Sequence, residues 1–291
     1  LSPGAWITIV AGLVATGCAL LGSFLVVRRQ ALLTDAVSHA VLPGIVVAWL
    51  ATGSRAPLAM IIGAGAFAVL CVLLVEALES TGLVRTDGAI GLVFPALFSL
   101  GVLGVHRWTE DIHLDLDATI YGEIAFIGFD QLTLFGGVDV PRAAVVTGAV
   151  VLVDLLLVVL GWRVLRAASF DPGFSASVGV PVRLVSRLLL LATAMTAVVA
   201  FDAVGAILVI TLFIVPAATG MAVARSMLGV VVVAVASGWI AAILGWQVAL
   251  RWDASIAGVM GVVAGMAFVL GIAVRVMRRR LGSRRAVGVR P

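Results

Sequence analysis

Long apolar stretches, each close to the length that crosses a bilayer, follow one another from Ala5 to Val276 with only short polar turns between them. A hydrocarbon core about 30 Å thick takes roughly 20 apolar residues of helix to span. Spans packed this closely in sequence leave no room for separate soluble cores, so residues 1–291 read as a single membrane domain. Charged residues make up 12% of the chain, about half the share found in soluble domains, roughly 25%. The fold predicted is all-α: a polytopic transmembrane helical bundle of about nine spans. These fall near 5–27, 36–50, 58–78, 89–105, 143–165, 182–201, 204–224, 228–250 and 255–276. The first has no basic region before it and runs directly into Arg28-Arg29, as a retained span does and a cleaved signal peptide does not. Gly261 and Gly265 form a G-x-x-x-G in the last span, expected as a helix-contact face.

The chain has a net charge of +4, all of its basic residues being arginine. The arginines cluster at span ends and no aromatic-basic motif accompanies them, which points to membrane lipid as the partner and excludes nucleic acid. With nine spans and the N-terminus outside, only Arg55, Arg107, Arg142 and Arg251 of the 19 basic residues fall on the outer side. That bias satisfies the positive-inside rule. The acidic stretch Glu110, Asp111, Asp115 and Asp117, with His106 and His113, then faces outward as a solvated loop, or one that gathers cations or meets a binding protein. Residues 119–135 carry Glu123 and Asp130 and are short for a span; a short external or re-entrant helix is expected there. The residues 278–291 form a basic tail on the inner side, disordered at its end.

Inside the second span, Asp35 and His39 stand at i and i+4, on one face of a helix. Ionisable groups at membrane depth are costly and usually face a bundle interior or a water-filled path. A carboxylate oxygen with a neutral imidazole nitrogen is a partial ligand set for a divalent first-row metal. The same residues are compatible with a plainer role, Asp35 capping a helix that starts at Ala36 and His39 bonding nearby backbone. Pro43-Gly44 follows at once and should kink or break this span. Asp154, inside the fifth span, fits a helix-packing or arginine-paired carboxylate better than a ligand. Cys18 and Cys71 lack any metal-site spacing and read as packing residues.

The loop 166–181 is the main feature outside the membrane in the second half. Asp171 and Pro172 suit the N-cap and first position of a short helix, which Gly179 and Pro181 then stop. Phe170, Phe174 and Val178 recur every four residues and would share one apolar face in need of a partner. The chain has no G-x-x-x-x-G-K-[ST] phosphate loop, no G-x-S-x-G elbow and no H-E-x-x-H. It does not itself bind ATP in the usual way and reads as a non-enzyme.

Three blocks carry a resemblance. Arg29 to Gly44 reads R-x-x-L-L-x-D-A-x-x-H-A-x-L-P-G; a second block runs from Ser169-Phe170-Asp171-Pro172 through Gly179-Val180-Pro181; a third runs from Val198 through Asp202 and Gly205 to Ile214-Val215-Pro216-Ala217-Ala218-Thr219. In order and spacing they resemble the integral-membrane permeases of ABC importers for manganese, zinc and iron. The resemblance implies a multi-pass protein of the prokaryotic plasma membrane with Asp35 and His39 as metal ligands of the translocation path. Manganese leads as cargo, with zinc or iron next, and no cofactor is permanently bound. It also implies a cytoplasmic ATP-binding subunit docked on a 170–181 coupling helix and an extracellular metal-binding protein that delivers the ion. A second permease copy, as in a homodimer, would bring two Asp-His pairs together, since two ligands do not close a site. Asp202 departs from the family, which often carries an uncharged amide there; an outer-surface charge is favoured over a further path residue. The competing functions are an ion-coupled secondary metal transporter or channel acting without an ATPase, and a non-transporting scaffold in which Asp35 and His39 are replaceable.

Overall fold

The computed structural model describes residues 2–53, 57–108, 124–127, 130–134 and 138–287. Among them, nine helices are long and apolar enough to cross a membrane. They are α1 (Pro3–Val27), α2 (Leu32–Thr52), α3 (Pro57–Ser80), α4 (Thr86–Trp108), α5 (Arg142–Leu160), α8 (Val182–Val204), α9 (Ala206–Val223), α10 (Met227–Trp252) and α11 (Ile256–Val287). Two short helices, α6 (Trp162–Phe170) and α7 (Pro172–Ser177), lie between α5 and α8. The architecture is the all-α polytopic bundle that the apolar spans dictate.

Several boundaries differ from the sequence reading for local reasons. The fifth span ends at Leu160 rather than 165, because Gly161 caps it and Arg163 and Arg166 follow in the separate helix α6. Residues 119–135 are not helical where described: Ile124–Phe126 is a single 3-10 turn, and β1 (Gln131–Leu134) pairs antiparallel with β2 (Val138–Pro141). The period-two alternation of Gln131-Leu132-Thr133-Leu134, followed in sequence by Gly136-Gly137, favours a hairpin over a helix. The remainder of that segment, with Glu110, Asp111, His113, Asp115, Asp117 and Glu123, lies outside the described residues. α2 continues unbroken through Pro43-Gly44. The basic tail begins as helix, α11 running on to Val287, since leucine and arginine favour helix once the span has nucleated it.

α1 is the most enclosed span and packs on α5, α8, α9 and α10. Its Leu21, Phe24 and Leu25 are fully buried with Phe213 of α9. α2 packs on α3 and α4 to one side, while α9, α10 and α11 pack on one another at the other. Large apolar side chains on the outer faces of α5 and α11, such as Leu156, Leu160, Val269 and Leu270, remain exposed as lipid-facing residues do. Cys18 and Cys71 are buried free thiols, as packing residues should be.

Without a hydrophobic drive between helices in lipid, close packing of small residues holds such a bundle together. One such close approach joins α2 to α3. A Cβ added at Gly44 would collide with the Gly63 carbonyl oxygen, and one at Gly63 would lie 2.5 Å from the Ala48 Cβ. The G-x-x-x-G of the last span is not such a seam: Gly261 faces Thr211 only at 3.8 Å, and a Cβ at Gly265 meets nothing within 4 Å. We therefore expect Gly63→Leu to separate α2 from α3 and destabilise the protein by about 1–3 kcal/mol or more. Gly265→Leu should leave the melting temperature in detergent unchanged; equal destabilisation by the two would contradict this packing.

Candidate functional site

Asp35 stands in the first turn of α2, whose N-cap position is Ala31, so it is not the cap of a helix starting at Ala36. One turn later comes His39. Its Nε2 lies 3.5 Å from the Asp35 Oδ1, and the two side chains remain about a third exposed, 33% for His39 and 38% for Asp35. Metal–ligand bonds of about 2.1 Å in tetrahedral arrangement put neighbouring ligand atoms about 3.4 Å apart. The observed spacing therefore matches two ligands of one ion. Pro43 sits one further turn along the helix and has no N–H to donate to the His39 carbonyl in the helical ladder. A backbone oxygen next to the imidazole thus loses its usual donor.

Phe94 and Phe98 of α4 wall the imidazole on one side, with ring centroids 5.1 and 5.4 Å from that of His39. They fix the ring's position while its nitrogen faces Asp35. Below them, α4 closes on the proline: a Cβ at Gly101 would lie 2.8 Å from the Pro43 Cδ. The i, i+4 spacing of the phenylalanines was visible in the sequence, but nothing there tied them to His39. Among the described residues no group of three or more histidine, cysteine or acidic side chains is placed to hold a metal. The pair therefore offers two donor atoms, one oxygen and one nitrogen, on a partly open face.

Arg28 lies at the end of α1, four residues before the start of α2, and is another feature that sequence reasoning missed. Its Nε donates to the Ser169 Oγ of α6 and its Nη1 to the Ser186 Oγ of α8, both at 2.9 Å. Burial lowers the pKa of this guanidinium from its ordinary value. Next to it Arg29 turns the chain with a positive φ of 59°. At the same end of the bundle Arg187 of α8 pairs with Glu76 of α3 at 2.8 Å.

The loop holds two short helices where one was expected: Phe170 ends α6, Asp171 interrupts the helix and caps α7, and Val178 follows α7, so the three apolar residues do not share one helix. The Asp171 Oδ1 accepts from the Phe174 N–H at 2.9 Å, and Pro172 follows at the first helical position. Gly179 takes a φ of +84°, ending the turn, and Pro181 precedes α8. Phe170, Phe174 and Val178 are 63%, 64% and 59% exposed, an apolar face with no cover of its own.

Asp154 is buried in α5 and accepts from the Thr196 Oγ1 of α8 at 2.7 Å, consistent with the helix-packing role. Asp202 occupies the last turn of α8, beside an outer recess of about 190 Å³ that Asp130, Arg142 and Thr147 also line, without Asp35 or His39.

Comparison with known proteins extends this geometry. The model of the ABC 3 transport family matches residues 5–275. The manganese transport system membrane protein MntD of Bacillus subtilis is 37% identical over 265 residues, covering 91% of this chain and 89% of that protein. The zinc transport system membrane protein TroD of Treponema pallidum is 39% identical over 264 residues, covering 91% and 72%. In fold, the chain resembles PsaBC from Streptococcus pneumoniae, solved in complex with Fab, with a TM-score of 0.76 at 24% identity over 92% of this chain and 90% of that one. This chain belongs to the ABC 3 transport family, as a multi-pass membrane permease subunit of an ABC transporter whose ATP hydrolysis takes place in a separate subunit.

Proposed function

We propose that the chain is the permease of an ATP-driven importer of divalent first-row metal, manganese foremost and zinc or ferrous iron next. The observation that carries this reading is the Asp35–His39 pair: an oxygen and a nitrogen 3.5 Å apart, on a membrane helix, with one side walled by phenylalanine and the other open. The donor set suits manganese, zinc and iron, and the nearest thiols, Cys18 and Cys71, are buried elsewhere. MntD and TroD, named for manganese and zinc transport, support this class of cargo.

An open half-site fits a second permease copy, whose own Asp35 and His39 would complete the coordination sphere across a two-fold axis. An extracellular metal-binding protein delivers the ion to this path. The face of Phe170, Phe174 and Val178 suits a groove on the cytoplasmic ATP-binding subunit, with Asp171, Pro172, Gly179 and Pro181 shaping the helix that presents it. Movement there reaches the metal site by a short route. Arg28 clamps α6 and α8 on either side of α7, and Asp35 lies seven residues further along the chain, in the first turn of α2.

Asp35→Ala and His39→Ala should each lower uptake of radioactive manganese or zinc by at least about tenfold, the scale on which lost ligand interactions act. Membrane insertion and ATPase association should be unchanged, and near-normal uptake by both variants would remove the site. Phe174→Asp tests coupling separately. Metal binding by the purified complex should persist while ATPase association weakens or hydrolysis no longer drives uptake. Tight, fully coupled transport by that variant would rule out the docking role.

A further inference from the structure

At the arginine-rich end, α9 stops at Val223 while α11 runs on. The two touch there, a Cβ at Gly271 lying 3.3 Å from the Val223 Cγ2. Beside that contact they leave a cleft of about 370 Å³ lined by Met221, Val223, Val274, Arg225, Arg275 and Arg278 among others. Arg275 and Arg278 stand one turn apart on α11, and Arg225 enters from the turn between α9 and α10. None of the three guanidiniums pairs with a carboxylate among the described residues. The carbonyls at the end of α9 offset this charge only in part. Three unneutralised cations facing one cleft call for an anion.

The surroundings say which kind. The apolar span of α11 ends at Arg278, so the arginines stand where hydrocarbon gives way to water. Met266, Leu270 and Val274 precede Arg278 at four-residue steps and form a ridge along the helix. They are 54%, 65% and 36% exposed. An apolar ridge that runs along the bilayer and ends among arginines matches a molecule with an acyl chain and a negative headgroup. A free phosphate would use the arginines and leave the ridge bare.

We propose that this cleft binds the phosphate of an anionic phospholipid in the leaflet at the arginine-rich end, with an acyl chain lying on the Met266–Leu270–Val274 ridge. Basic pockets between membrane helices recognise such headgroups, each arginine adding to the attraction. The site does not depend on the metal assignment, and it ties the α9–α11 side of the bundle to membrane composition.

The test is native mass spectrometry of the complete transporter with its ATPase, titrated with phosphatidylglycerol, with phosphatidylcholine of the same acyl chains, and with inorganic phosphate. We expect retained phosphatidylglycerol to exceed phosphatidylcholine. Affinity for it should fall on the order of a hundredfold in the triple variant Arg225→Gln, Arg275→Gln, Arg278→Gln, as expected for three interfacial arginines. A charge-matched variant at the same end, Arg163→Gln, Arg166→Gln, Arg183→Gln, should keep the preference, and Leu270→Ser should weaken lipid retention without loss of assembly. Survival of the preference in the first variant, or equal loss in both triple variants, would overturn the site. So would displacement of the lipid by millimolar phosphate. Loss of ATPase association with lipid retention intact would make the cleft a protein contact and refute the lipid assignment.

Discussion

Hydrocarbon offers no hydrogen-bond partner, and the whole molecule follows from that constraint. Every span satisfies its backbone within its own helix, and contact between helices is left to shape. Gly44 against Gly63, and Gly22 against the Phe213 carbonyl, let backbones approach where a side chain would hold them apart. α1 fills the centre because its small and apolar residues pack on every side. At Pro43 of α2, Pro95 of α4 and Pro216 of α9 the helical ladder lacks a donor, and a carbonyl one turn back goes without its usual partner. The proline of α2 places that carbonyl beside His39.

Several charges within or near the membrane are placed by a specific contact. Asp154 meets Thr196, Glu76 meets Arg187, and Arg28 meets two serines that are far from it in sequence. Asp35 and His39 meet each other and stay partly open, unlike the buried Asp154–Thr196 contact. Arg28 ties the end of α1 to α6 and α8.

Much of this was legible in the sequence because it depends on local rules. Apolar length gives the spans, arginine bias fits the same layout, and Asp171-Pro172 with Gly179 marks a short helix through its capping chemistry. Features set by neighbours were not legible. An apolar segment with period-two alternation looked helical by length, yet the described part forms the Gln131–Leu134 strand. Pro43 suggested a break, but α2 stays continuous with α4 packed against the proline ring. Gly261 and Gly265 had the right spacing for a tight seam, and only the partner helix decides whether one exists. For the site, Asp35 and His39 could be named from spacing and resemblance. Phe94, Phe98 and the Arg28 clamp come from other helices, and no local pattern links them to α2.

The central claim is that a transported ion is held by the Asp35 carboxylate and the His39 imidazole. X-ray absorption spectroscopy of manganese or zinc bound to the complete transporter tests it most directly. The account predicts a first shell of oxygen and nitrogen at about 2.0–2.2 Å with imidazole scattering beyond it, and loss of that imidazole signal in His39→Ala. A sulfur shell near 2.3 Å, or an unchanged imidazole signal in that variant, would contradict it.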